Sequence, residues 1–383
     1  MTEIIDDLSL LNDQSFSDAI SELENLMSQS DRAFLLGAGC SRCAGLPLTI
    51  ELTEEVIKSL KDGSTNRTLL QSVIDCFAGA DQVTIEDYMS ELIDLLAIAK
   101  RRKQCGVSQA TINLVGKTYE LTDLENALDE IKQRISDCID KPVSIDMHKR
   151  FVTAIHRTLR TGKAKIKAVD YFILNYDTLI EDALALERLS YVDGFNGGAT
   201  GWWDAGSFEN DEVVARVLKI HGSLDWCLLE DDTLPRRIRS GKALSTIFPR
   251  EKVLIWPAAT KYQETQLNPY AQVLEVMRRS LRPYVGSEVV LTICGYRFGD
   301  SHVNIELEKA LHESDGRLTY LIFTELDEPA GVIKEWLETP EIKDQVRIYA
   351  KRGFFHGKKA IASSVDLPWW KFETLVRLLG GER

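Results

Sequence analysis

The chain is predicted to fold as an α/β protein, a parallel sheet covered by helices on both faces and interrupted by an inserted helical segment. Two observations carry that prediction. Short apolar runs such as Ala33-Phe34-Leu35-Leu36 and Val289 to Cys294 stop at glycine, as buried parallel strands do. Such runs alternate with stretches of helical spacing, the order that builds a sheet with crossover helices.

Taken in order, residues 1–30 read as an amphipathic helical lead-in, with Leu8, Ile20, Leu23 and Leu26 on one face. The first strand and its glycine turn follow. From Glu51 to Lys167 the signals are nearly all helical. Ile85 to Ala99 and Leu121 to Ile135 carry leucine and isoleucine at three- and four-residue spacing, with breaks only near Gly63, Gly106 and Pro142. Strand signals return at Ala168 to Leu174, Val213 to Ile220, Val253 to Ile255, Val289 to Cys294, Leu318 to Phe323 and Val346 to Ala350. Helices intervene at Thr178 to Leu189, Ala271 to Leu281 and Val303 to Leu311, while the acidic, proline-containing Leu229 to Gly241 reads as a surface loop. The expected division is a lead-in over 1–30, a discontinuous sheet domain over 31–50 and 168–325, an inserted helical subdomain over 51–167, and a strand and helix over 326–383 that pack on the domain or in oligomer contacts.

Composition narrows the function classes. The 383 residues suit two or three structural units, and 44% hydrophobic residues is ordinary for a packed globular chain. No apolar run approaches the roughly 18 residues that span a bilayer. The acidic start MTEIIDDLSL resembles no secretory or mitochondrial leader, so a cytoplasmic address is expected. Seven widely spaced cysteines argue against a disulfide framework. Cys40 and Cys43 form a single C-x-x-C with no second pair at zinc-ribbon spacing, so no zinc is expected. A net charge of −13 opposes broad attraction to nucleic acid. The basic runs Lys100 to Lys103 and Lys149 to Lys167 are read as solvated helix faces.

Four constellations carry chemistry. Gly37-Ala38-Gly39-Cys40-Ser41, followed by Gly45-Leu46-Pro47, is a glycine turn straight after a strand, where backbone amides can approach a pyrophosphate. An ordinary strand-to-helix turn needs glycine too, and Arg42 stands where a G-x-G-x-x-G register would place its third glycine. Asn175-Tyr176-Asp177 follows the second strand: the amide of Asn175 can orient a hydroxyl or water and Asp177 can accept from a carboxamide, or one of them caps the next helix. His221-Gly222 follows the third, and a histidine there can exchange a proton with a sugar hydroxyl or water, or be structural. Gly295-Tyr296-Arg297-Phe298-Gly299-Asp300 follows the strand ending at Cys294, with Asp300 and His302 near the start of the next helix. Asp300 is placed to accept from ribose hydroxyls, or to cap. All four sit at strand ends, so one rim of one sheet gathers them, and that favours a nucleotide cleft in a Rossmann-like domain. The tryptophans Trp202, Trp203, Trp226, Trp256, Trp369 and Trp370 read as core or interface packing, Trp226 being the one close enough to His221 to line a pocket; Lys261 reads as solvated.

These motifs, in this order, resemble the sirtuin superfamily. GAGCSRCAGLP resembles its phosphate loop, NYD its N-x-D motif, and IHG the motif of its catalytic histidine. GYRFGDSHVN looks like the ribose-binding segment of bacterial sirtuin-like proteins of antiphage defence. The resemblance implies NAD as substrate, hydrolysed to nicotinamide and ADP-ribose. It also implies catalytic roles for Asn175, His221 and Asp177, and cofactor contacts from Gly37, Ala38, Gly39, Ser41, Gly45, Pro47, Gly295, Tyr296, Arg297 and Asp300. A homo-oligomer and a HerA-type hexameric ATPase partner are further implications. Two departures point away from protein deacylation: Leu48-Thr49-Ile50 stands where deacylases carry Asp-Phe-Arg, and beyond His221 only Cys227 and Cys294 remain where they carry two C-x-x-C pairs.

Overall fold

A computed structural model describes residues 8–29, 31–80, 83–157, 167–229, 232–238, 251–254 and 268–382. The described residues gather into two compact units, one drawn from Met1–Gly45, Ser144–Val253 and Asn268–Arg383, the other built on Leu46–Val143.

The first unit holds a nine-stranded sheet. Its strands in chain order are β1 (Asp31–Leu36), β2 (Val169–Ile173), β3 (Tyr191–Val192), β4 (Ala215–Lys219), β5 (Val289–Cys294), β6 (Leu318–Thr324), β7 (Val346–Ala350), β8 (Gly353–His356) and β9 (Lys359–Ala362). Their spatial order is β9-β8-β7-β6-β5-β1-β2-β4-β3. Every pairing from β7 across to β3 is parallel. The β7-β8-β9 end is an antiparallel meander that the sequence reading did not separate. The fold is therefore the α/β, Rossmann-like parallel sheet that was expected. Strands β2 and β5 are buried at every position, so both faces are apolar apart from Thr292 and Asp170, whose carboxylate accepts from Arg216 of β4 at 2.6 and 2.9 Å. Phe34 of β1 stacks on Tyr171 of β2 at 5.6 Å and meets Phe151 edge-on at 5.1 Å, so the helix Asp146–Arg157 closes on the sheet. That helix belongs to the sheet-bearing unit, although it lies in the stretch read as inserted.

The order places a topological switch point at β1. The chain builds β2 and β4 on one side of it and β5 to β7 on the other, and open α/β sheets bind ligands outside the carboxyl ends of strands at such points. The backbone N–H of Ser144 donates to the carbonyl of Ala44 at 3.1 Å, so the chain leaves this unit and re-enters it at one place.

A second, five-stranded sheet in the same unit is an addition to the expected architecture. It uses Phe195–Gly197, Thr200–Trp203, Gly222–Leu228, Arg236–Ile238 and Glu251–Leu254. Arg236–Ile238 lies inside the stretch read as a loop. Its apolar face is an aromatic cluster in which Phe195, Trp203 and Trp226 meet with ring centroids 5.2–5.4 Å apart. Trp226 thus packs in this small core, and Trp369 is buried against Tyr349 in the main one. The sequence assignments at Ile255, Trp256, Pro257 and Lys261 lie outside the described residues.

The second unit packs the helices Thr49–Ser59, Thr65–Cys76, Ile85–Gln104 and Leu121–Ile139 around buried Leu69, Val73, Met89, Leu92, Leu124 and Ile131. It also contains a short hairpin, Ile112–Leu114 with Lys117–Tyr119. Its two-residue turn puts Val115 and Gly116 at φ 49° and 74°, and valine rarely takes the first of these, so no turn signal stood in the sequence. Among the described residues no helix is long and apolar enough to cross a membrane.

Candidate active site

Four adjacent strands, β5-β1-β2-β4, run parallel, and each carries one of the four sequence constellations just beyond its carboxyl end. The β1 strand ends at Leu36 and is followed by a 3-10 turn, Ala38–Ala44, rather than an α-helix. Its glycines answer to a neighbouring loop. A Cβ on Gly37 would sit 2.4 Å from the Gly295 carbonyl oxygen, and one on Gly39 would sit 2.7 Å from the Gly295 Cα. Gly295 itself has φ 67° and lies against Cys40. The Gly37 and Gly39 amides donate to the carbonyls of Cys294 and Gly295, both at 3.0 Å. These glycines therefore let the loops after β1 and β5 touch, and two of the amides expected at a phosphate hold that contact. Gly45 ends the turn in the left-handed region at φ 93° with open space around it. Pro47 falls in the second unit.

Asn175, Ser41 and Asp177 form one hydrogen-bonded knot. The Asn175 side chain donates to the Gly37 carbonyl at 3.0 Å and to Ser41 Oγ at 2.7 Å. A carbonyl can only accept, which fixes the nitrogen end of the amide toward Gly37 and leaves the Asn175 carbonyl oxygen as the acceptor this side chain can offer. The Ser41 hydroxyl donates in turn to Asp177 Oδ2 at 2.7 Å. The other Asp177 oxygen accepts from the backbone N–H of Leu179 at 3.1 Å, at the start of the helix Leu179–Leu186. The N-cap of that helix is Thr178, so Asp177 serves the first helical amide from one residue earlier and joins the knot at the same time. Ser41 has its one hydrogen committed to Asp177, so its place here is to tie the β1 loop to the β2 loop.

Beneath the knot lie charges that the sequence reading missed. Lys219, the last residue of β4, is fully buried; its ammonium donates to the Asp177 backbone carbonyl and stands 3.7 Å from the buried Glu181 carboxylate. A lysine directly after the apolar pair Val217-Leu218 at a strand end was the available signal. His148 is buried too, its pKa lowered by burial against the opposing pull of Asp177 and the Cys40 backbone. Nothing in the sequence marked it. Burial also holds the Cys40 thiol well above its usual range and pushes Cys43 up to about 12, which removes thiolate character from the C-x-x-C.

His221 stands two residues past β4 and is 5% exposed. Its Nε2 lies 3.1 Å from Nε2 of His302, which is 3% exposed in the first turn of the helix Ser301–Glu313. Asp300 N-caps that helix by position, yet its carboxylate makes no capping hydrogen bond and lies with the two imidazole nitrogens in a group whose ligand atoms are all within 4.8 Å. The Tyr296 hydroxyl bonds Asn304 Oδ1 at 3.0 Å and accepts from the Asp300 amide at 3.2 Å, so Tyr296 shapes the loop from inside. Arg297 turns to the surface, where it pairs with Glu325 at 2.9 Å. Between them and Gly299, Phe298 is held at φ 59°, a left-handed conformation that side chains resist and that concentrates at functional loops.

The structure thus brings Gly37, Gly39, Ser41, Asn175, Asp177 and Gly295 into contact in one group, and His221, Asp300 and His302 in another, on the same rim. The arrangement offers an acceptor oxygen, an imidazole pair and a carboxylate at a switch point, a set suited to a nucleotide's hydroxyls and to moving a proton. No curated protein matches the chain. Residues 170–344 match the family model described as SIR2-like domain, a stretch that includes Asn175, Asp177, His221 and Asp300 and leaves out the Gly37–Ser41 loop. That match supports a sirtuin-like domain over this stretch, consistent with NAD-related activity.

Proposed function

We propose that the chain hydrolyses NAD at the nicotinamide–ribose bond, giving nicotinamide and ADP-ribose. The observation that carries this reading is the placement of Asn175 and His221 beyond two neighbouring parallel strands at the switch point, within the stretch that matches a SIR2-like domain. NAD fits the residues present: an acceptor carboxamide oxygen, a histidine pair and a carboxylate face the rim where such folds bind nucleotides.

As the bond to nicotinamide breaks, its electron pair leaves with the neutral base and the ribose C1′ takes oxocarbenium character, as in other glycosyl transfers. The carbonyl oxygen of Asn175, held by the Gly37 and Ser41 bonds, orients the attacking water. His221 takes the proton that water loses when its oxygen bonds to C1′. Asp177 accepts from the carboxamide of the nicotinamide, and Asp300 from ribose hydroxyls. The turn from Gly37 to Gly45 shapes the phosphate end, and Gly295 and Tyr296 shape the ribose end. The resemblance of the motifs extends this reading to antiphage defence by NAD depletion, in a homo-oligomer with a HerA-type ATPase partner.

The test is chromatography of NAD incubated with the purified protein. Wild type is expected to release nicotinamide and ADP-ribose, with His221→Ala and Asn175→Ala slower by about 10²–10⁴-fold, the usual worth of a positioned base. Full activity in a folded His221→Ala protein would overturn the mechanism. Tight NAD binding with no cleavage, even with the ATPase added, would replace it with a sensor.

A further inference from the structure

The His221–His302 contact does more than position one ring. Two imidazoles that meet Nε2 to Nε2 share a single hydrogen, since one nitrogen has to donate and the other accept. The same separation suits a shared ion. Two nitrogens bound to one tetrahedral zinc at its usual bond length stand about 3.3 Å apart, and these stand 3.1 Å apart. A third ligand is at hand. Asp300 occupies a helix N-cap without capping, and its carboxylate lies with both nitrogens inside a 4.8 Å group. Both histidines are nearly fully buried while Asp300 is half-buried, so the carboxylate lies on the solvent side of the cluster. Two imidazoles and one carboxylate with an open fourth position form a donor set for divalent zinc and its first-row neighbours.

We propose that His221, His302 and Asp300 bind one divalent metal ion of the zinc class, and that the bound ion blocks NAD cleavage by occupying the nitrogen lone pair of His221. The second half rests on the hydrolase reading above; the first does not. The ion replaces the hydrogen between the rings, a small rotation of Asp300 brings its oxygen to bonding distance, and a water completes the set. Metal supply then sets how much of the protein is competent.

The experiment is zinc titration of metal-free full-length protein by calorimetry, with cobalt as a spectroscopic stand-in whose visible bands report the ligand set. One zinc per chain is expected at micromolar affinity or tighter. His302→Ala is expected to weaken it at least 100-fold and Asp300→Asn at least 10-fold, while His312→Ala on the same helix changes nothing. His302→Cys keeps a ligand and is expected to retain cobalt with a new thiolate band, which separates lost ligation from lost folding. Absence of zinc binding to wild type, or binding unchanged in folded His302→Ala, overturns the site. NAD cleavage is followed in parallel, and zinc is expected to stop it in wild type until a chelator restores it. Cleavage that continues with the site saturated overturns the inhibitory half. A wild type that binds zinc but never cleaves NAD overturns the hydrolase reading and the inhibitory half with it, and leaves the metal site standing.

Discussion

His148 shows how a single buried residue couples this site to pH. It is 1% exposed, its ring lies 5.2 Å from that of Phe372, and its Nδ1 has no hydrogen-bond partner among the described residues. Burial lowers its pKa below the 6.5 of an unperturbed imidazole. Between those two values the unfolded chain binds a proton that the folded chain does not, so stability is lost as pH falls through 6.5 and is untouched above it. Urea midpoints measured from pH 8 to pH 5 are expected to drop below that point in wild type. In His148→Leu the drop is expected to be smaller, and parallel curves for the two proteins would refute the assignment. Ser41 carries the converse lesson. The resemblance implied a cofactor contact from its place after the glycines, and the structure adds a tie that no local pattern shows: its hydroxyl donates to Asp177 and its oxygen accepts from Asn175.

At the scale of elements, the buried Lys219 joins β4 both to the loop after β2, through the Asp177 carbonyl, and to the helix Leu179–Leu186, through Glu181. Removing one partner of a buried pair leaves the other charge uncompensated. Lys219→Met is therefore expected to cost about 3–5 kcal/mol in urea denaturation, and adding Glu181→Gln to recover part of that loss; a change near zero for the single variant would show that water already reaches the pair. Strands β1, β2, β4 and β5 were legible because most of their positions on both faces are buried, leaving mainly apolar runs, with the Asp170–Arg216 pair set inside two of them, that end in glycine or a polar side chain. The four clusters were legible for the same reason, since each punctuates such a run. The smaller sheet was not. Its strands are short, Gly197 and Gly201 interrupt them, and the partners of Trp203 and Trp226 are set by tertiary packing that no local pattern encodes. His302 and Lys219 escaped as site residues because their meaning comes from neighbours 81 and 42 residues away.

For the molecule as a whole, the Ser144–Ala44 hydrogen bond is the feature that organises the chain. A segment whose two ends meet in one hydrogen bond can be added to a sheet domain without separating the strands on either side of it, and insertions succeed at such points. Leu46–Val143 has the properties of such a segment, because its buried side chains come from its own helices: Leu69 and Val73 from one, Met89 and Leu92 from the next, Leu124 and Ile131 from the last. Thr53 Oγ1 accepts from the Ile85 amide at 2.8 Å, and the Tyr119 hydroxyl meets Ser72 Oγ at 2.8 Å, so these buried polar groups find partners inside it. A core closed in this way is expected to fold alone. The fragment 46–143 should give a helical circular-dichroism spectrum and one cooperative urea transition, with a stability of about 5 kcal/mol by the usual per-residue range. A fragment that unfolds gradually, without a transition baseline, would mean that the segment depends on the rest of the chain for its core.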